Sequence, residues 1–160
     1  VSPGLTREIL DHKAEFLQSL GGVRREATIL FSDVRGFTAM TETGDPASVL
    51  EELNEYFGAM VAEILATDGG VDKFLGDGIL AVWGTLKLDA PSEAANAALT
   101  SALGMRQALR RLNDSRLRRG LTAWNVGIGI HSGSVLFGNV GSELRMEPTV
   151  IGDTVNVASR

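Results

Sequence analysis

Apolar residues recur along this chain in two rhythms, and the change from one to the other divides it into elements. From Pro46 onward, Val49, Leu50, Leu53, Phe57, Met60, Val61, Ile64 and Leu65 keep the i, i+3, i+4, i+7 spacing of an amphipathic helix, which Gly69-Gly70 closes. A second helical stripe starts at Pro91 with Ala95, Ala98, Ala102, Met105, Leu109 and Leu112, while Arg106, Arg110 and Arg111 fall largely off it. The basic run over 106–119 then reads as a solvated face and a helix C-terminus, where the helix dipole favours cations. A shorter stripe, Leu5, Ile9, Phe16 and Leu20, ends at Gly21-Gly22 and predicts a leading helix. Residues 1–24 are thus expected to be a helix and linker ahead of a domain over 25–160.

Compact apolar runs supply the strands. "ATILFSD" (27–33) has the length of a buried strand with Asp33 at its carboxyl end. Val71 to Leu75 and Ile79 to Trp83 flank Gly76-Asp77-Gly78 and predict a hairpin. Trp124 to His131 and Val135 to Val140 read as two further strands joined by a Ser-Gly turn, followed by an irregular segment, a short strand over 149–151 and a helix start near Asp153. The order β, α, β, β, α, β predicts an α+β, ferredoxin-like antiparallel sheet with helices on one face. In that topology strand two is expected to run parallel to strand one and beside it, so the turn between strands two and three lies at the edge where strand one ends. Asp33 and Asp77 are therefore expected to meet.

Composition narrows what such an edge can do. With 160 residues, 44% of them hydrophobic, one domain with a sizeable core is expected. A net charge of -5 disfavours nucleic acid and anionic membrane, so an anionic substrate would need metal ions or local cations. With 6% aromatic residues, a sheet that stacks nucleobases is also disfavoured. The absence of cysteine removes disulfides, thiolate metal sites and a thiol nucleophile, and no apolar run reaches membrane-spanning length. The chain starts at Val1 and stops at Arg160 inside a motif, which reads as a piece of a longer protein cut at the C-terminal end of its domain. A lone histidine after an apolar strand, as at His131, and the single His12 are more simply structural.

Asp77 alone could be a turn residue and Asp33 a cap. Two carboxylates at adjacent strand ends repel each other, however, and a site that keeps both ionised holds a hard divalent cation between them. After Asp33, "VRGFT" places Gly36 where backbone can approach closely, and the Phe37 and Thr38 amides open a helical turn that favours phosphate oxygens. Carboxylates and phosphate-facing amides together point to phosphoryl or nucleotidyl chemistry by two metal ions.

The motifs "FSDVRGFT" (31–38), "KFLGDG" (73–78), "VGIGIHSG" (126–133) and "TVIGDTVNVASR" (149–160) together resemble the catalytic domain of class III nucleotidyl cyclases, from about Arg25 to the end. The resemblance implies that Asp33 and Asp77, helped by the Val34 carbonyl, coordinate two Mg²⁺ or Mn²⁺ ions, and that ATP is cyclised to 3′,5′-cyclic AMP with loss of pyrophosphate. It implies that Asn156 orients the ribose and Arg160 stabilises charge on the α-phosphate, a task suited to its five-donor fork. Lys73 lies about 13 Å along the strand from Asp77, too far to serve the same metal. In the family, sites lie at a head-to-tail dimer interface, so Lys73 belongs to the partner's site and reads the purine with Thr149. Adenine offers an acceptor at N1 and a donor at N6, and guanine the reverse. Lys73, where a guanylate cyclase more often has Glu, implies ATP.

Departures accompany the likeness. Thr149 stands where many members have Asp and resembles a subgroup that includes bicarbonate-responsive cyclases, which implies bicarbonate as an activator. Ser134 replaces a phosphate-binding Arg of some relatives, and Pro148 an aromatic. All expected roles filled in one chain imply a homodimer with two equivalent composite sites, in a cytoplasmic catalytic segment, alone or within a larger or membrane-anchored protein. The rivals are a silent cyclase-like dimerisation module, a guanylate cyclase, a nucleic-acid-binding ferredoxin-like domain, and a diguanylate cyclase, whose GGDEF-like turn is absent.

Overall fold

A computed structural model describes residues 22–85, 90–142 and 145–160, so the expected leading helix lies outside the described residues. The elements are β1 (Val23–Val34), α1 (Phe37–Thr43), α2 (Pro46–Leu65), β2 (Gly70–Leu75), β3 (Gly78–Trp83), α3 (Pro91–Arg118), β4 (Val126–Ser142), β5 (Arg145–Ile151) and α4 (Asp153–Ala158). The strands form one antiparallel sheet in the order β2-β3-β1-β4-β5, the expected split βαβ arrangement with one strand added beside β4. β3 is the neighbour of β1, and β2 forms the sheet edge.

Both long helices cover one face. Leu30, Val34, Ile79, Ala81 and Trp83 of the sheet meet Tyr56, Met60 and Ile64 of α2 and Ala98, Met105 and Leu112 of α3. The sequence places the ends of α2 by local chemistry. The Asp45 carboxylate accepts from the Ser48 amide at 3.0 Å with Pro46 in the first turn, a cap worth about 1 kcal/mol. At the other end, the Trp83 indole donates to the Thr67 carbonyl at 3.1 Å, and a Cβ on Gly69 would strike that ring at 2.5 Å.

The basic run is solvated as expected at Arg106, Arg110, Arg111, Arg118 and Arg119, and Arg116 is the exception. Arg116 is 2% exposed, pairs with Glu52 of α2 at 2.8 Å, donates to the Thr122 carbonyl and lies over the Trp124 ring at 4.4 Å. Arg111 and Arg119 reach Glu63 and Glu55 on the same helix. Glu52 of α2 holds Arg116 inward, while Arg111 and Arg119 stay exposed in their pairs, and the pattern of α3 alone does not reveal which arginine is buried.

The opposite face holds a smaller apolar layer, Ala27, Ile29, Leu80, Val82, Val135 and Val150, on which α4 sets Ala158. Here the structure corrects the expected pair of strands after α3. β4 is continuous through Ser132-Gly133, which pair with Thr28 and Ala27 of β1, and the Thr28 and Ser132 hydroxyls hydrogen-bond at 2.8 Å. The small residues serve packing rather than a turn. A Cβ on Gly129 would collide with the Ala158 carbonyl oxygen, and one on Gly133 would lie 2.8 Å from Thr154 Oγ1. The chain reverses later, between β4 and β5, and β5 takes up much of the segment expected to be irregular.

Candidate active site

Asp33 lies one residue beyond Ser32, the last β1 residue paired with β3, opposite Ile79, and the hairpin turn carrying Asp77 sits just past that point. Gly76 has φ 64 at the first central turn position, which fits a type II′ hairpin and leaves Asp77 an ordinary backbone. The Val34 amide donates to Asp77 Oδ2 at 3.1 Å, tying the turn to the end of β1. Burial, then the charge of Asp77 and a hydrogen bond to it, push the Asp33 carboxyl above its ordinary range, against a smaller opposing pull from Arg35. Beneath the pair, Tyr56 is fully buried with its hydroxyl 3.5 Å from Ser32 Oγ. Burial pushes its pKa up to about 12, the Ser32 bond opposing, with Asp77 and Asp33 adding to the rise.

This donor set fits a hard divalent cation. Burial and then the neighbouring Asp77 charge make Asp33 resist ionising, and a cation between the two carboxylates would offset both. Among the described residues no cluster of three or more His, Asp or Glu side chains forms. The set is therefore two carboxylates, with the Val34 backbone beside them.

Gly36 takes φ 74 ahead of α1, a left-handed conformation that glycine adopts without strain. A Cβ there would meet nothing within 4 Å, so backbone conformation, not space, calls for glycine. Phe37 and Thr38 begin α1, and the Phe37 ring stands edge-on to Trp124 at 6.3 Å.

A second cluster forms across the sheet. Although β2 and β5 are the two outer strands, Lys73 Nζ donates to Thr149 Oγ1 at 2.7 Å, so the sheet curls until its edges meet. Asp72, not singled out from the sequence, joins them: its Oδ2 accepts from Thr149 Oγ1 at 3.0 Å and lies 3.1 Å from Lys73 Nζ. A strand alternates its side chains, so neighbouring Asp72 and Lys73 are expected on opposite faces. A register slip between Val71 and Lys73 puts both toward Thr149. Asn156 lies on α4, Arg160 follows it, and both are exposed. The structure thus brings Asp33 to Asp77 and Lys73 to Thr149, and sets Asn156 and Arg160 at the end of the chain on the sheet face away from the long helices.

The family model for the adenylate and guanylate cyclase catalytic domain matches residues 23–160. The chain belongs to this family. Two adenylate cyclases resemble this cyclase domain: one from Anabaena cylindrica, 43% identical over 140 residues, and Adenylate cyclase 1 of Rhizobium meliloti, 36% identical over 137. The matches cover 85% and 86% of the chain but only 26% and 20% of those proteins, so the chain spans about a quarter or less of their length. Among solved structures, the guanylyl cyclase Cya2 superposes with a TM-score of 0.82 at 41% identity, covering 87% of this chain and 70% of that one. The adenylyl cyclase CyaB from P. aeruginosa gives 0.83 at 32%, covering 87% and 71%. Cyclase domains named for either purine are therefore similar, and overall identity does not choose the base. No helix among the described residues is long and apolar enough to cross a membrane.

Proposed function

We propose that this cyclase domain converts ATP to 3′,5′-cyclic AMP and pyrophosphate in a homodimer with two composite sites. The observation that carries the reading is the meeting of Lys73 with Thr149, a donor and a hydroxyl side by side as adenine's N1 and N6 require. Asp33, Asp77 and the Val34 carbonyl would hold two Mg²⁺ or Mn²⁺ ions. When bound, such ions lower the pKa of the ribose 3′-hydroxyl and polarise the α-phosphate for in-line attack.

The chain's own residues supply the rest. Amides at Gly36, Phe37 and Thr38 receive phosphate oxygens at the opening of α1. Asn156 holds the ribose so that its 3′-oxygen faces the α-phosphate, and Arg160 neutralises charge on the oxygens of the pentavalent phosphate. Each site takes its carboxylates from one subunit and Lys73, Thr149, Asn156 and Arg160 from the other, because Lys73 lies about 13 Å along the strand from Asp77. Exposed Leu75, Ile151 and Val157 leave apolar surface on β2, β5 and α4, in keeping with such an interface. A cytoplasmic location accords with ATP as substrate.

The test is purified protein with Mn²⁺ or Mg²⁺, given ATP or GTP separately, and identification of the cyclic product. Cyclic AMP from ATP is expected. Dominant cyclic GMP would favour the second reading, a guanylate cyclase, for which the likeness to Cya2 speaks. Activation by bicarbonate rests on Thr149 alone and predicts faster turnover on adding bicarbonate at constant pH and ionic strength; an unchanged rate removes it.

A further inference from the structure

A lysine ammonium only donates and a carboxylate only accepts, so the hydrogen bonds around Thr149 have one possible polarity. The Thr149 hydroxyl accepts from Lys73 at 2.7 Å, and its single proton goes to Asp72 at 3.0 Å. What remains on Thr149 is a lone pair. Lys73 spends one N–H on Thr149 and a second on Asp72 at 3.1 Å, which leaves one donor. The Asp72 side chain is 3% exposed while that of Lys73 is 37% exposed, so the carboxylate lies beneath and the ammonium is accessible.

We propose that Asp72 is a positioning residue that sets purine choice, by taking the Thr149 proton and tethering Lys73 so that the pair presents an acceptor and a donor in fixed places. This rests on the adenylate cyclase reading above. A threonine hydroxyl by itself could turn and donate to guanine O6 as readily as it accepts from adenine N6–H. With its proton held by Asp72 it cannot. An untethered lysine could likewise move from adenine N1 to guanine O6, and the second contact to Asp72 restrains it. The bulge in β2 supplies the geometry, since only a slipped register brings the residue before Lys73 to the same side. Asp72 thus gives a hydroxyl the discrimination that a carboxylate at position 149 would provide directly.

The test is calorimetric binding of 3′-deoxy-ATP and 3′-deoxy-GTP in Mg²⁺, which lack the attacking hydroxyl and report affinity without turnover. The wild-type protein should bind the adenine compound more tightly. Asp72→Ala should narrow that preference by about tenfold or more, weakening the adenine compound while the guanine compound holds or gains. Asp72→Asn, close in shape and able to donate to Thr149 as well as accept, should shift the ratio in the same direction if the alanine variant does not fold. Thr149→Val should also narrow the preference, and adding Asp72→Ala to it should change the ratio little further, the mark of residues acting as one unit. An adenine preference that persists unchanged in the folded Asp72 variants, both affinities falling together or not at all, overturns the role of Asp72 and leaves the adenylate cyclase reading standing. A wild-type protein that prefers the guanine compound, or binds neither, overturns that reading and this inference with it.

Discussion

Asp33 and Asp77 repel across the end of β1, and burial first, then the charge of Asp77, raises the Asp33 pKa. Replacing either with alanine should relieve the repulsion and lower cyclase activity by a hundredfold or more, to judge roughly from the loss of comparable charge-stabilising groups. Product formation with Mn²⁺ in excess measures it, and activity within a few-fold of wild type would remove these residues from the metal site. Tyr56 gives a separate prediction. Its native pKa of about 12 lies above the unfolded value of roughly 10, so the native state keeps the proton longer. The resulting stability is complete below about pH 10 and is lost as pH rises through 12, up to about 2–3 kcal/mol. Tyr56→Phe should flatten this alkaline loss, read as urea midpoints at pH 8 and pH 11. At this scale the meeting of Asp33 and Asp77 was legible, since it follows from strand direction alone. Tyr56 was not, because the apolar stripe drawn through Leu53, Phe57 and Met60 left it out, and its phenol gives no sign in the sequence that it is fully buried.

Helices were the most legible elements, for α2 and α3 carry long stripes with proline at the start. β4 misled because the glycines that admit α4 sit beside Ser132 and imitate a turn. The bulge in β2 was invisible, since six residues carry too few side chains to betray a register slip. These glycines predict an outcome of their own. Gly129→Ala should push α4 off the sheet and cost about 1–3 kcal/mol, while Asn156 and Arg160 move with the helix. Activity should fall further than stability alone explains, read as kcat at a temperature where the variant is fully folded. Unchanged kcat in the folded variant would show that α4 tolerates the displacement.

For the whole molecule, the proposed division of each site between two subunits predicts complementation. Asp33→Ala and Lys73→Ala proteins, each inactive alone, should regain up to about a quarter of wild-type activity when mixed in equal amounts, because mixed dimers form half of the population and keep one intact site. No recovery after subunit exchange would place all groups of a site in one chain. The topology that supports this was legible as a βαββαβ order; the curl that joins β2 to β5 was not, because twist accumulates over strands and leaves no mark on any one of them. That curl also fixes an order of events. The contact of Lys73 with Thr149 spans 76 positions of chain and joins the two outermost strands, so it forms only after every strand between them is in place. The carboxylate pair needs only β1 and the β2-β3 hairpin. A refolding chain should therefore bring Asp33 to Asp77 before Lys73 meets Thr149, so that the purine choice proposed for that pair is in place only once the sheet is finished.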